Sequence, residues 1–203
     1  KREGVDKNNE LDAKEMENYK EYDYYKQVFD SIDYDKITNK KAHYEYLLLS
    51  LLLLQPPLRS GVYVSCIIQD NSKLNDTDNY LILSYKSGIT PRAYFYINKD
   101  KVTNTKSYSD KIKNIIEIEN KQLINILFDS FKKYPRKFLF ENDGKPITQE
   151  TLLRYLRNIT KIKQVNIDMM RSMFITNEYN KGISYKQKEE LSLKNAEQCR
   201  YFF

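Results

Sequence analysis

The chain is poor in the residue types on which many familiar sites depend. Tryptophan is absent, histidine occurs once (His43), and the two cysteines, Cys66 and Cys199, stand far apart. A single imidazole excludes a His-rich metal cluster and nearly excludes a Ser-His-Asp triad. Two lone thiols form neither a zinc pattern nor a disulfide framework, and they suit a reducing compartment. The five glycines are scattered, so no phosphate-cradling glycine loop is written in the chain. The longest apolar run, Leu47 to Leu54, is interrupted by Ser50 and falls far short of the ~20 residues that span a bilayer. No secretory signal is visible. The expectation is no metal, no cofactor and no membrane.

What is present describes one domain. The chain has 203 residues, 40% hydrophobic and 31% charged, enough apolar material for a sizeable core. Lys and Arg number 34 against 28 Asp and Glu, a net charge of +6 that leans towards a polyanionic partner. The 18 tyrosines and 9 phenylalanines, beside abundant Lys, Asn and Ile, resemble the output of an AT-rich coding sequence. A lone Tyr or Lys therefore carries little information here.

Residues 1–20 are polar and read as a solvated leader, and 1–38 together as a linker or remnant of an amino-terminal region. The globular domain is expected over 39–203. Aromatic and acidic residues alternate from Tyr22 to Ile37, the pattern of a short packing helix. Ala42–Leu54 is apolar nearly all round, a buried helix stopped by Pro56 and Pro57. Val62–Ile68 is β-branched and fits a strand or a short helix. Asn79–Tyr85, Ala93–Asn98 and Ile112–Ile118 predict a small antiparallel sheet. Between the last two, Lys99–Lys111 is a polar, basic hairpin loop. Lys121–Tyr134 carries an apolar stripe of Leu123, Leu127, Phe131 and Tyr134 and ends at Pro135. After the Asn142-Asp143-Gly144 turn, Thr148 is positioned to cap a helix with Leu152, Leu153, Leu156 and Ile159 inward. That helix turns Arg154, Arg157 and Lys161 to solvent. Helices about Met169–Glu178 and Tyr185–Cys199 complete an α+β chain, mostly α.

Three separated segments carry the chemistry. The first is Pro56-Pro57-Leu58-Arg59, an arginine presented at the end of a buried helix. The second is Asp168-Met169-Met170-Arg171, an arginine near the start of another, where an i,i+3 ion pair is also available. The third is the stretch from Leu191 to Tyr201, a helix running into a terminal tyrosine. In this order, with Pro135-Arg136-Lys137-Phe138-Leu139-Phe140 between them, they resemble the catalytic domain of tyrosine recombinases. The likeness is nearest to the divergent branch of large DNA viruses and their virophages, and it covers roughly residues 40–201.

The resemblance implies a tyrosine-recombinase-type domain with a small antiparallel sheet and a basic hairpin. Its function would be site-specific DNA integration or resolution through a 3′-phosphotyrosine. Arg59 and Arg171 match the two arginines, Lys101 the hairpin lysine with Lys106 as fallback, and Tyr201 the nucleophile. Such chemistry wants two permanently charged guanidiniums on the non-bridging oxygens and a lysine for the leaving oxygen. It conserves bond energy in the phosphotyrosine, so no cofactor is implied. Asp168 and Ser192 occupy the family's imidazole positions, and Gly61 and Val62 stand where an acidic residue is usual. Arg154, Arg157 and Lys161 would lie against duplex DNA. Implied with these are a dimer or tetramer on DNA and an intracellular setting: nucleus, viral factory or virion. The alternative reading is a recombinase-fold protein without catalysis, binding DNA or serving as a virion-associated structural protein.

Overall fold

The computed structural model describes residues 20–69, 74–75, 77–86, 88–98 and 115–181. Among these the order is α1 (Tyr22–Asp30), a 3-10 turn (Tyr34–Lys36), α2 (Lys40–Leu53), α3 (Ser60–Ser65), β1 (Ile67–Gln69) and β2 (Tyr80–Lys86). Then come β3 (Thr90–Tyr96), β4 (Ile115–Ile118), α4 (Lys121–Lys133), β5 (Glu141–Asn142), β6 (Lys145–Pro146), α5 (Gln149–Thr160) and α6 (Ile167–Asn180). The architecture is α+β with helix predominating.

The central element is α2. Asn39 caps it by accepting the Ala42 N–H at 2.8 Å, and Leu47, Leu48, Leu49, Leu51 and Leu52 have no exposed surface. At about 2 kcal/mol per buried leucine, these five side chains alone supply on the order of 10 kcal/mol of transfer free energy. A helix that is apolar all round must be covered all round: α1, α4, α5 and α6 all pack on it. Pro56 and Pro57 bring no N–H and restrict the residue before them, so α2 stops at Leu53.

The core runs across the boundary drawn after residue 38. Tyr25 and Phe29, one turn apart on α1, and Ile37 belong to the same buried cluster as the leucines of α2. The Tyr22 hydroxyl donates to Leu53 O at 2.9 Å, and that of Tyr24 to Thr160 O at 2.8 Å.

The ambiguous stretch Val62–Ile68 is both of its alternatives in succession: α3 holds Val62 and Tyr63, and β1 begins at Ile67. This adds a strand and corrects the expectation of an antiparallel sheet. The sheet is mixed, in the order β1-β2-β3-β4. Strands β2, β3 and β4 form the expected antiparallel meander, with Leu83 opposite Ala93 and Phe95 opposite Ile116. β1 instead pairs in parallel with β2, Ile67 opposite Tyr80. Its direction is fixed on its other side, where Ile68 N–H donates to Lys137 O and Leu139 N–H to Cys66 O. Ala93 and Phe95 alternate inward along β3 while Arg92 is exposed, and the Phe95 ring meets Tyr63 of α3 edge-on at 6.3 Å.

Further along, Asn120 caps α4 through the Leu123 N–H at 3.0 Å. The tight turn between β5 and β6 has Asp143 and Gly144 at φ 48° and 74°, a conformation Asp-Gly adopts at little cost. Thr148 caps α5 through the Thr151 N–H at 3.2 Å. On α5, Leu152 and Leu156 are fully buried, whereas Leu153 and Ile159 are only half-buried. On α6, Met170 and Met173 fill the core as expected, and Met169 is half-buried. The helix expected at Tyr185–Cys199 and residues 1–19 lie outside the described residues.

Candidate active site

Arg59 is the N-cap of α3, in extended backbone at φ −68°, ψ 149°. The two prolines before Leu58 have no N–H, so Leu58 carries the first backbone donor after them. That N–H donates to the Tyr63 hydroxyl at 2.8 Å, and the same hydroxyl donates to Leu51 O at 3.4 Å. The turn presenting Arg59 is thereby tied to the end of α2 and to the interior of α3.

Arg171 approaches from α6. Its side chain is 4% exposed and donates to Asp168 Oδ1 at 3.1 Å, while the Asp168 side chain is 71% exposed. Burial lowers the pKa of Arg171; the hydrogen bond it donates to Asp168 raises it, and the neighbouring charge of Arg59 lowers it again. Two arginines distant in sequence thus sit within each other's electrostatic field. Tyr63 lies in the field of Arg171 as well, and burial holds its hydroxyl un-ionised, its pKa raised well above the usual value.

Gln55 adds a buried amide to this region. It is 7% exposed, and its Nε2 is buried without a hydrogen-bond partner. Val62, where the resembled family carries an acid, is a buried aliphatic. A Cβ on Gly61 would meet only Gln149 Nε2, at 3.7 Å.

The departure point of the basic loop is held by asparagines. Asn79 donates to Ser65 Oγ at 2.9 Å and accepts the Asn98 N–H at 2.8 Å. Asn98 in turn donates to Asn75 O and Asp78 O, at 2.9 and 2.8 Å. Asn98 is therefore tied through Asn79 to Ser65, the last residue of α3, a helix of roughly 9 Å with Arg59 at its other end. Lys101, Lys106, Ser192 and Tyr201 lie outside the described residues.

Arg154, Arg157 and Lys161 are exposed, as expected. Two shallow clefts lie along α5. One of about 540 Å³ includes Lys145, Thr148, Thr151, Arg154 and Tyr155, and one of about 340 Å³ includes Arg157, Asn158, Lys161 and Lys163. Lys161 itself is not helical; it ends α5 in the left-handed conformation at φ 60°, its N–H on Arg157 O at 2.9 Å.

Tyr63, Gln55 and Arg136 escape sequence reasoning. The first two sit in a turn and a short helix with no periodicity to mark them. Arg136 falls in the recombinase-like segment, yet its guanidinium is taken up by Ser130, Tyr134 and Leu139. Among the described residues no group of His, Cys, Asp and Glu is placed to hold a metal ion. Among them also, no helix is long and apolar enough to cross a membrane. Comparison with family models, with curated proteins and with solved structures found no match.

Proposed function

We propose that this chain is the catalytic domain of a DNA breaking-and-rejoining enzyme of the tyrosine-recombinase type. The observation that carries the reading is that Arg59, the N-cap of α3, and Arg171, near the start of α6, are neighbours in the electrostatic sense, the charge of Arg59 lowering the pKa of Arg171. Two neighbouring guanidiniums suit an anion with several acceptor oxygens, and a phosphodiester is one. Asp168 neutralises part of that charge and stands largely in solvent, where an incoming phosphate can displace it. The basic flank of α5 offers further contacts along a backbone.

In this reading the Tyr201 oxygen attacks phosphorus, its proton passing to a base, with Asp168 the carboxylate beside Arg171. The bond from phosphorus to the 5′ oxygen breaks. That oxygen leaves with a proton from Lys101 or Lys106, and a 3′-phosphotyrosine remains. Rejoining is the same step in reverse, by a 5′ hydroxyl. Arg59 and Arg171 hold the non-bridging oxygens as charge accumulates on them.

A second reading, DNA binding without cleavage, is favoured by one observation: the expected acid position is the buried Val62, and Asp168 offers a carboxylate where an imidazole is usual. A duplex nicked beside the cleavage site separates the two. On the enzymatic reading the wild type forms a covalent adduct, slowly at neutral pH and faster near pH 9, because free tyrosine ionises near pH 10. Tyr201→Phe forms none. No adduct from the wild type, or from Asp168→His with Ser192→His, at pH 9 leaves the binding reading.

A further inference from the structure

We infer that Tyr63 is the positioning residue of the two-arginine site: its buried hydroxyl fixes the Leu58–Arg59 backbone so that Arg59 is presented towards Arg171. The inference rests on reading Arg59 and Arg171 as a phosphate clamp, and deepens it.

The hydroxyl needs an explanation that the ring does not. Tyr63 has no exposed surface, and a phenylalanine would fill the same space and keep the edge contact with Phe95. Burying a hydroxyl in an apolar core is unfavourable unless it is hydrogen-bonded. Here it is bonded twice, accepting from Leu58 N–H at 2.8 Å and donating to Leu51 O at 3.4 Å. Those partners lie on either side of the Pro56-Pro57 break, so one oxygen pins the turn to the helix that it leaves.

What the pinning serves follows from sequence order. Leu58 immediately precedes Arg59, and Tyr63 lies one helical turn after it, its N–H donating to Arg59 O at 3.4 Å. Arg59 is thus held on one side by the hydroxyl of Tyr63, through Leu58, and on the other by its backbone. The resembled family orients its first arginine with a nearby acid, but here the nearby positions are Gly61 and the buried Val62. A neutral hydroxyl acting through the backbone does without that acid.

A double-mutant cycle tests this on the full chain, with a fluorescein-labelled duplex as probe. Tyr63→Phe is expected to weaken duplex binding about fivefold in the wild-type background and not at all in the Arg59→Ala background, since contacting groups couple and independent ones add. Equal weakening in both backgrounds means that Tyr63 is merely structural and overturns the inference, leaving the clamp reading intact. If Arg59→Ala itself binds as wild type, the clamp reading falls and the inference with it. Amide exchange of the wild type gives an arm independent of the variants' folding. Leu58 N–H is expected to be protected to the same degree as the last turn of α2, and an unprotected Leu58 amide overturns the inference.

Discussion

Arg136 donates to Leu139 O, Ser130 O and Tyr134 O at 3.0, 3.1 and 2.9 Å, and to Ser130 Oγ at 2.8 Å. Its guanidinium stands 4.0 Å from the centre of the Phe131 ring. Burial brings its pKa down to about 10, so it remains a cation at neutral pH. Ser130 Oγ accepts from Arg136 and meets His43 Nε2 at 2.8 Å. Burial first, then Arg136 and Lys133, push His43 down to about 4. The folded chain therefore refuses a proton that the unfolded chain accepts between pH 6.5 and 4. Stability is lost as pH falls through that window, by on the order of 2 kcal/mol near pH 4.5. Urea unfolding at pH 7 and 4.5 checks this: His43→Gln should lack that part of the pH dependence, and an identical loss in both proteins contradicts it. The sequence set His43 apart from the catalytic segments, and its packing in the core agrees. What it did not reveal is the Arg136–Ser130–His43 chain, because α2 and α4 are joined there only by folding.

Long periodic elements were legible, and short ones were not. α2, α4 and α5 could be read because apolar residues recur over three or more turns between recognisable caps. α3 has six residues and β1 three, too few for any period to emerge, and a helix that short is held by packing rather than propensity. So the stretch joining them stayed ambiguous, and with it the parallel pairing that makes the sheet mixed. The end of α5 yields a prediction at this scale. Lys161 sits at φ 60°, which is unfavourable for a side chain with a Cβ and unstrained for glycine. Lys161→Gly should therefore raise stability by about 0.5 kcal/mol or more in thermal unfolding. If Lys161 also contacts a phosphate, the same variant should flatten the salt dependence of duplex binding by about one unit of slope. A protein more stable but less salt-sensitive separates the two roles; an unchanged slope removes Lys161 from the DNA face.

Across the whole molecule, the candidate site is a product of long-range packing. Arg59 and Arg171 were legible as candidates because the order of the motifs resembles that of a known family, and the fold that places them comes from α2 being wrapped by α1, α4, α5 and α6. The groups beneath them were not legible. Tyr63 is one tyrosine among 18, and only its burial and its two hydrogen bonds distinguish it. Asp168 was recognisable both as a displaced imidazole position and as an i,i+3 partner, and it is the ion pair that is formed. The claim on which the rest depends is that Arg59 and Arg171 act on one phosphate. The most direct measurement is the coupling between Arg59→Ala and Arg171→Met in duplex binding, the methionine keeping the buried stem of Arg171 filled. One shared phosphate predicts a coupling of about 1 kcal/mol or more, the second substitution costing much less once the first is made. Losses that simply add, to within about 0.4 kcal/mol, would mean that the two arginines serve separate ends, and would contradict the account.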